Sequence, residues 1–148
     1  MAGADGILVL DLPPHEARAN KELAESAELK HIRLIAPTTP PQRLPEITDT
    51  SEGFIYYVSR EGVTGERASL SHGIQEQVAA IKQHTQLPVA VGFGISTPEQ
   101  AATVAATSDA VVVGSAIVKT IAQNLDKPNL AARIGKFVKP LVEATKSV

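Results

Sequence analysis

Residues 88–100 read Pro88-Val89-Ala90-Val91-Gly92-Phe93-Gly94-Ile95-Ser96-Thr97-Pro98-Glu99-Gln100, and they spell a strand, a tight turn and the start of a helix. Val89-Ala90-Val91-Gly92-Phe93 is a short, continuously apolar run. That is the pattern of a parallel strand covered on both faces rather than of one with a wet side. Gly94 follows, where a backbone without Cβ turns sharply or approaches a ligand closely. Thr97 then offers a hydroxyl at the N-cap, Pro98 takes the first helical position and Gln100 the third, which is a capping box with its proline.

The same strand–helix unit repeats in both directions from this stretch. Gly6-Ile7-Leu8-Val9-Leu10, Ile32-Arg33-Leu34-Ile35-Ala36, Phe54-Ile55-Tyr56-Tyr57-Val58 and Ala110-Val111-Val112-Val113 are strand-like, although Arg33 interrupts the second. Between them, residues 16–28 are rich in Ala, Glu and Lys, with Leu23 and Ala27 four apart. Ile74, Val78 and Ile81 form an apolar stripe at helical spacing. Residues 40–51 allow no more than about two or three helical turns. The final segment sets Leu130, Ile134, Phe137, Val138, Leu141 and Val142 on one helical face, with Pro140 expected to kink it. The order β-α-β-α-β-α-β-α-β-α predicts an α/β protein with a parallel sheet and right-handed crossovers. Period alone does not separate an open doubly wound sheet from a sector of a barrel. No linker, charge block or low-complexity tract interrupts the chain, so residues 1–148 are read as a single domain.

Composition narrows the functional classes. The 148 residues carry 43% hydrophobic and 20% charged side chains with a net charge of −2, an ordinary globular balance. Lys and Arg are scattered, which gives no reason to expect nucleic acid or a membrane as partner. No apolar run approaches the ~20 residues of a membrane span, and Met1 to Gly6 lacks the pattern of a secretory signal. Cysteine is absent, which excludes disulfides and thiol chemistry and fits a reducing, cytoplasmic setting. The histidines at 15, 31, 72 and 84 show no metal-binding spacing, so neither a metal nor another cofactor is expected.

In α/β proteins the chemistry lies beyond the carboxyl ends of the strands. Here those ends are Asp11-Leu12-Pro13, Pro37-Thr38-Thr39-Pro40, Ser59 to Gly65, Gly94-Ile95-Ser96 and Gly114-Ser115. After the last strand, Ser115-Ala116-Ile117-Val118 reads as the opening of a short helix. Its unpaired N–H groups and partial positive charge suit a phosphate dianion. Barrel phosphate sites commonly occupy the loops after the last two strands, where Gly94 and Gly114 stand if this chain ends as a barrel ends. Glycines also end strands for reasons of turn geometry alone, so each by itself is weak evidence. Lys119, one turn past Ser115, is expected to point to solvent.

Three segments together carry a resemblance. Tyr56-Tyr57-Val58-Ser59-Arg60-Glu61-Gly62-Val63-Thr64-Gly65, Pro88 to Ser96, and Val113-Gly114-Ser115-Ala116-Ile117-Val118 resemble strands six, seven and eight, with their loops, of the tryptophan synthase alpha subunit family. Leu10-Asp11-Leu12-Pro13 and Ile35-Ala36-Pro37-Thr38-Thr39 resemble the ends of that family's strands four and five. The resemblance runs in order along essentially the whole chain. It implies the C-terminal five βα units, strands four to eight, of a (βα)8 TIM barrel.

The resemblance also implies a substrate class: indole-3-glycerol phosphate, cleaved by a retro-aldol step to indole and glyceraldehyde 3-phosphate. The matching phosphate donors are Gly65, Gly94, Gly114 and Ser115. Tyr56 matches a tyrosine near the reacting glycerol end, and Thr64 a threonine that closes over the site and helps position a catalytic aspartate. Leu8 and Phe93 match walls for the indole ring, positions that any core strand would also supply. Arg60 and Glu61 are expected on the solvated face of the loop. Asp11 is read as a cap or loop tie rather than a catalyst. Pro13 and its neighbours match the side that meets the beta subunit, the implied partner in a heterotetramer.

The reaction needs a carboxyl group to protonate indole C3 and a base for the glycerol hydroxyl. In the family these come from a glutamate ending strand two and an aspartate in the following loop, positions upstream of where the resemblance begins. Glu16, Glu22 and Asp109 fall on helices or at the wrong ends of strands to replace them. No catalytic residue is therefore assigned within this chain. Three readings stay open: part of such a lyase, a different phosphate-binding barrel enzyme, or a catalytically inactive phosphate- or partner-binding half-barrel.

Overall fold

The computed structural model describes residues 3–59, 67–92 and 94–147. Among them run five strands, β1 (Gly6–Leu8), β2 (Lys30–Ile35), β3 (Ile55–Val58), β4 (Val89–Gly92) and β5 (Ala110–Val112). The helices are α1 (Pro14–Ser26), α2 (Leu44–Asp49), α3 (Arg67–Lys82), α4 (Pro98–Ala105), α5 (Ser115–Ala122) and α6 (Leu130–Thr145). A single 3-10 turn, Pro41–Arg43, leads into α2.

Every neighbouring strand pair is parallel, and the sheet order is β1-β2-β3-β4-β5. A doubly wound sheet reverses its order at a switch point. Here the order follows the chain without reversal, the arrangement of a barrel sector. Register supports this: Ile35 lies beside Tyr57, Tyr57 beside Val91 and Val91 beside Val111, and all four join one core with helical residues. The helices that build this core therefore lie on one face of the sheet.

That core is where the fold is held together. Ile35, Ile55, Val89 and Val91 from the strands meet Leu44, Ile47, Ile74, Val78, Ile81, Val104 and Leu141 from the helices. Each fully buried aliphatic side chain contributes roughly 1.5–3 kcal/mol. The predicted stripe Ile74, Val78 and Ile81 is buried as expected. α6 continues through Pro140 and presents Phe137 and Leu141 to the core, while Val142 stays 44% exposed.

One expectation is corrected. The strands were read as covered on both faces, but in β2 and β3 buried residues alternate with half-buried ones, and only β4 is buried throughout. The face away from the core carries Ile32, Leu34, Tyr56 and Val58, none of them fully buried. On α1, where Leu23 and Ala27 were noted only as four apart, Ala17 and Ala24 are the buried residues and Leu23 is 69% exposed. Small alanines let α1 sit close on β2, and Leu23 lies on the side of the helix that no described element covers.

Arg33, which interrupted a strand pattern, is nonetheless in β2 and buried, and its Nη2 donates to the Leu12 carbonyl at 3.1 Å. Among the described residues, no helix is long and apolar enough to cross a membrane.

Candidate functional site

The carboxyl ends of β3, β4 and β5 meet around a cleft of about 410 Å³. Its lining includes Tyr56, Gly94, Ser96, Val112, Gly114, Ser115, Lys119, Gln123 and Phe137. β3 sets Tyr56 in register with Ala90 of β4. Beyond Ala90 the strand offers Gly92, and a β-carbon built there would stand 2.7 Å from Val112 Cβ, 2.8 Å from the Val112 carbonyl oxygen and 3.1 Å from Tyr56 Oη. Glycine is required at 92 because Tyr56 and Val112 occupy the space a side chain would need.

The loop after β4 is built to hold one shape. Gly94 has φ +68, a left-handed conformation that costs other residues roughly 1–2 kcal/mol. The side chain of Gln100 then ties the loop down, its Oε1 accepting from Ser96 N–H at 2.8 Å, Ser96 Oγ at 3.2 Å and Thr97 N–H at 3.2 Å. Thr97 Oγ1 accepts from Gln100 N–H in return. The predicted capping box is present, and it does more than start α4. It also occupies the Ser96 amide, so that amide is not free to meet a ligand.

After β5 the chain enters α5 at Gly114 with no side-chain cap. Ile117 and Val118 both donate to the Gly114 carbonyl, at 2.9 and 3.1 Å. Ahead of Ile117, the Ser115 and Ala116 amides have no partner within the helix and carry the positive end of its dipole. A β-carbon on Gly114 would meet nothing within 4 Å. The space beside this helix start is open.

Of the residues singled out in the sequence, Tyr56, Gly94, Gly114 and Ser115 come together on this one cleft. Leu8 does not line it; it stands half-buried on β1, two strands from Tyr56. Thr64, Gly65 and Phe93 lie outside the described residues, as do Arg60 and Glu61. Lys119 is exposed, as expected, and it also lines the same cleft, because positions four apart on a helix share a face and Ser115 stands four before it. The same spacing carries Gln123 to the cleft wall, a signal that was readable in Ser115, Lys119 and Gln123.

No Asp, Glu or His is among the described residues that line the cleft. The carboxylates noted in the sequence lie elsewhere. Glu16 and Glu22 are on α1. Asp11 sits in the loop after β1 with φ +54. Asp109 precedes β5, at the opposite end of the sheet, where it accepts from Val89 N–H and from Lys82 Nζ, both at 2.8 Å. The Lys82 ammonium and the Val89 amide hold its carboxyl below the usual range. The cleft thus has unpaired backbone N–H groups of a helix start on its wall, and it lacks a carboxyl acid or base of its own among the described residues.

The family model for the tryptophan synthase alpha chain matches residues 1–146. The curated tryptophan synthase alpha chain of Opitutus terrae is 47% identical over 146 residues, covering 98% of this chain and 55% of that protein. That of Desulfatibacillum aliphaticivorans is 46% identical over 145 residues, with the same shares covered. This chain spans about 55% of the length of those relatives. Among solved structures, the alpha subunit from Legionella pneumophila superposes with a TM-score of 0.84 at 33% identity, over 99% of this chain and 54% of that one. A structure of the Pyrococcus furiosus tryptophan synthase a2b2 complex matches with a TM-score of 0.81 at 37% identity, over 95% of this chain and 56% of that one.

Proposed function

This chain belongs to the tryptophan synthase alpha chain family, and from that premise we propose that its cleft holds the phosphate of indole-3-glycerol phosphate during retro-aldol cleavage to indole and glyceraldehyde 3-phosphate. The observation that carries the proposal is the uncapped start of α5 at Gly114 and Ser115, facing open space across from Gly94. Backbone N–H groups and a helix dipole suit a dianion without a dedicated cation. Each charge-assisted hydrogen bond contributes about 1.5–3 kcal/mol, so three or four are enough for a firm grip.

In this reading Tyr56 stands by the reacting glycerol carbon and Lys119 adds charge at the rim. Gly65 supplies a further phosphate donor, Thr64 closes over the substrate, and Leu8 and Phe93 wall the indole. The carboxyl groups that move protons are supplied from outside these 148 residues, by the remaining strands of a complete barrel. The exposed apolar residues support that division. Ile7, Leu10 and Leu23 are exposed in and beside β1 and α1, and Val118, Leu125 and Val142 in and beside α5 and α6. Both ends offer sheet edges and apolar surface that further βα units would cover. A beta subunit is the proposed protein partner, as the a2b2 complex of the Pyrococcus relative suggests, and the cytoplasm the proposed location.

A titration followed at the Gly114 and Ser115 amides tests the site. Indole-3-glycerol phosphate is expected to shift both signals and to bind more tightly than an aminosugar phosphate. Equal response to the two phosphates would favour a different phosphate-binding barrel enzyme. No response at Ser115 would remove the phosphate from this cleft.

A further inference from the structure

A second cleft, of about 300 Å³, opens at the carboxyl ends of β1 and β2 and shares no lining residue with the first. Arg33 lines it although only 5% of that residue is exposed. A guanidinium carries five N–H donors and no acceptor. For Arg33, Nη2 donates to the Leu12 carbonyl and the buried Nε has no hydrogen-bond partner. Burial pushes the group below the usual arginine range while the Glu46 carboxylate pulls the other way, and an arginine stays charged at neutral pH regardless. A buried cation with one incompletely satisfied edge is costly unless an anion accompanies it.

The surroundings supply the rest of an anion's shell. Arg43, Thr38 and Thr39 stand on the cleft walls. Thr39 Oγ1 already accepts from Ala36 N–H at 3.1 Å, which leaves its own proton to donate. Leu12 and Pro13 bring the start of α1 to the cleft, and this thirteen-residue helix is entered without a side-chain cap. Asp11, also on the wall, and the Glu46 carboxylate that acts on Arg33 oppose an anion, against the two arginines that line the same cleft.

We propose that this cleft is a separate oxyanion site, which takes a small carboxylate or phosphate group between Arg33, Arg43 and the threonine hydroxyls. It does not depend on the reading of the first cleft. The anion offsets the desolvation of Arg33, and its arrival is felt at Leu12, the carbonyl that Arg33 holds in the β1–α1 loop.

Nuclear magnetic resonance of the whole chain tests this, following the Arg33 Nε–H and the Ser115 amide together. Inorganic phosphate and acetate are titrated separately, against chloride at matched ionic strength. The Arg33 signal is expected to shift and saturate with phosphate or acetate, and Arg43→Gln to weaken that binding roughly tenfold, the effect of one charge-assisted contact. Saturation by both anions identifies a general oxyanion site, and saturation by one alone identifies the group it takes. Arg43 is exposed, so its replacement leaves the fold in place. A shift at Ser115 without one at Arg33 would overturn the proposal. So would an Arg33 shift that chloride reproduces or that Arg43→Gln leaves unchanged.

Discussion

The hydroxyl of Tyr56 lies 3.1 Å from where a β-carbon on Gly92 would sit. The missing side chain at the end of one strand thereby makes room for the aromatic of its neighbour at the cleft. Val112 presses on the same point from β5, with its carbonyl oxygen at 2.8 Å. Because that oxygen is backbone, the sheet itself must yield to any substituent. Gly92→Ala is expected to lower stability by about 1–3 kcal/mol, the usual cost of overpacking a close-fitted interior. Urea unfolding measures it; an unchanged midpoint would show that the strands part more easily than described.

Gly94 and Gly114 are glycines for different reasons, and substitution separates them. Gly94 needs its left-handed φ, so Gly94→Ala is expected to destabilise by roughly 1–2 kcal/mol. Gly114 has open space around its Cβ position, so Gly114→Val is expected to leave stability nearly unchanged while blocking phosphate. In a complete alpha chain, Gly114→Val is expected to weaken substrate binding more than Lys119→Ala does. If Lys119→Ala proves the more damaging change, the phosphate sits further along α5 than proposed.

Thr64 is proposed to act on loop closure and on a catalytic carboxylate rather than on the bound ground state. Thr64→Val in a complete alpha chain is therefore expected to lower kcat with little change in KM. Steady-state kinetics decides between the roles, since a change confined to KM points to simple substrate contact.

Asp109 makes stability depend on pH in a defined direction. Its carboxyl is held below the usual range by Lys82 and the Val89 amide. A depressed folded-state pKa adds stability that is present above the unfolded carboxylate value, near 4, and is lost as pH falls through the folded one. Asp109→Asn is expected to cost about 1 kcal/mol at neutral pH, allowing for the exposure of the pair, and to flatten the acid side of the stability profile. Thermal melts from pH 7 down to pH 3 read this; parallel profiles for the two proteins would contradict it.

Much of this architecture was legible in the residues themselves. Apolar runs marked all five strands, and Thr97, Pro98 and Gln100 marked the start of α4 because capping is local chemistry. Gly94, Gly114 and Ser115 were legible as a group because strand ends in an α/β fold point the same way. What stayed hidden was long-range. Leu23 stands four before Ala27, but whether it is buried depends on what stands beside α1. Arg33 broke an apolar run, and only the fold reveals that its guanidinium reaches the Leu12 carbonyl. Periodicity left the barrel and the doubly wound sheet unseparated; the family resemblance pointed to the barrel, and strand order, a global property that periodicity does not encode, agrees with it.

The central claim is that these residues bind the substrate's phosphate while the proton-moving carboxylates come from elsewhere in a complete barrel. The most direct test purifies this 148-residue chain and assays indole release from indole-3-glycerol phosphate, with and without a separately expressed segment supplying the first three strands of a relative. The expected result is no indole from the chain alone and measurable indole on mixing. Indole released by the purified chain alone would contradict the account, because it would require an acid and a base among residues where none has been assigned.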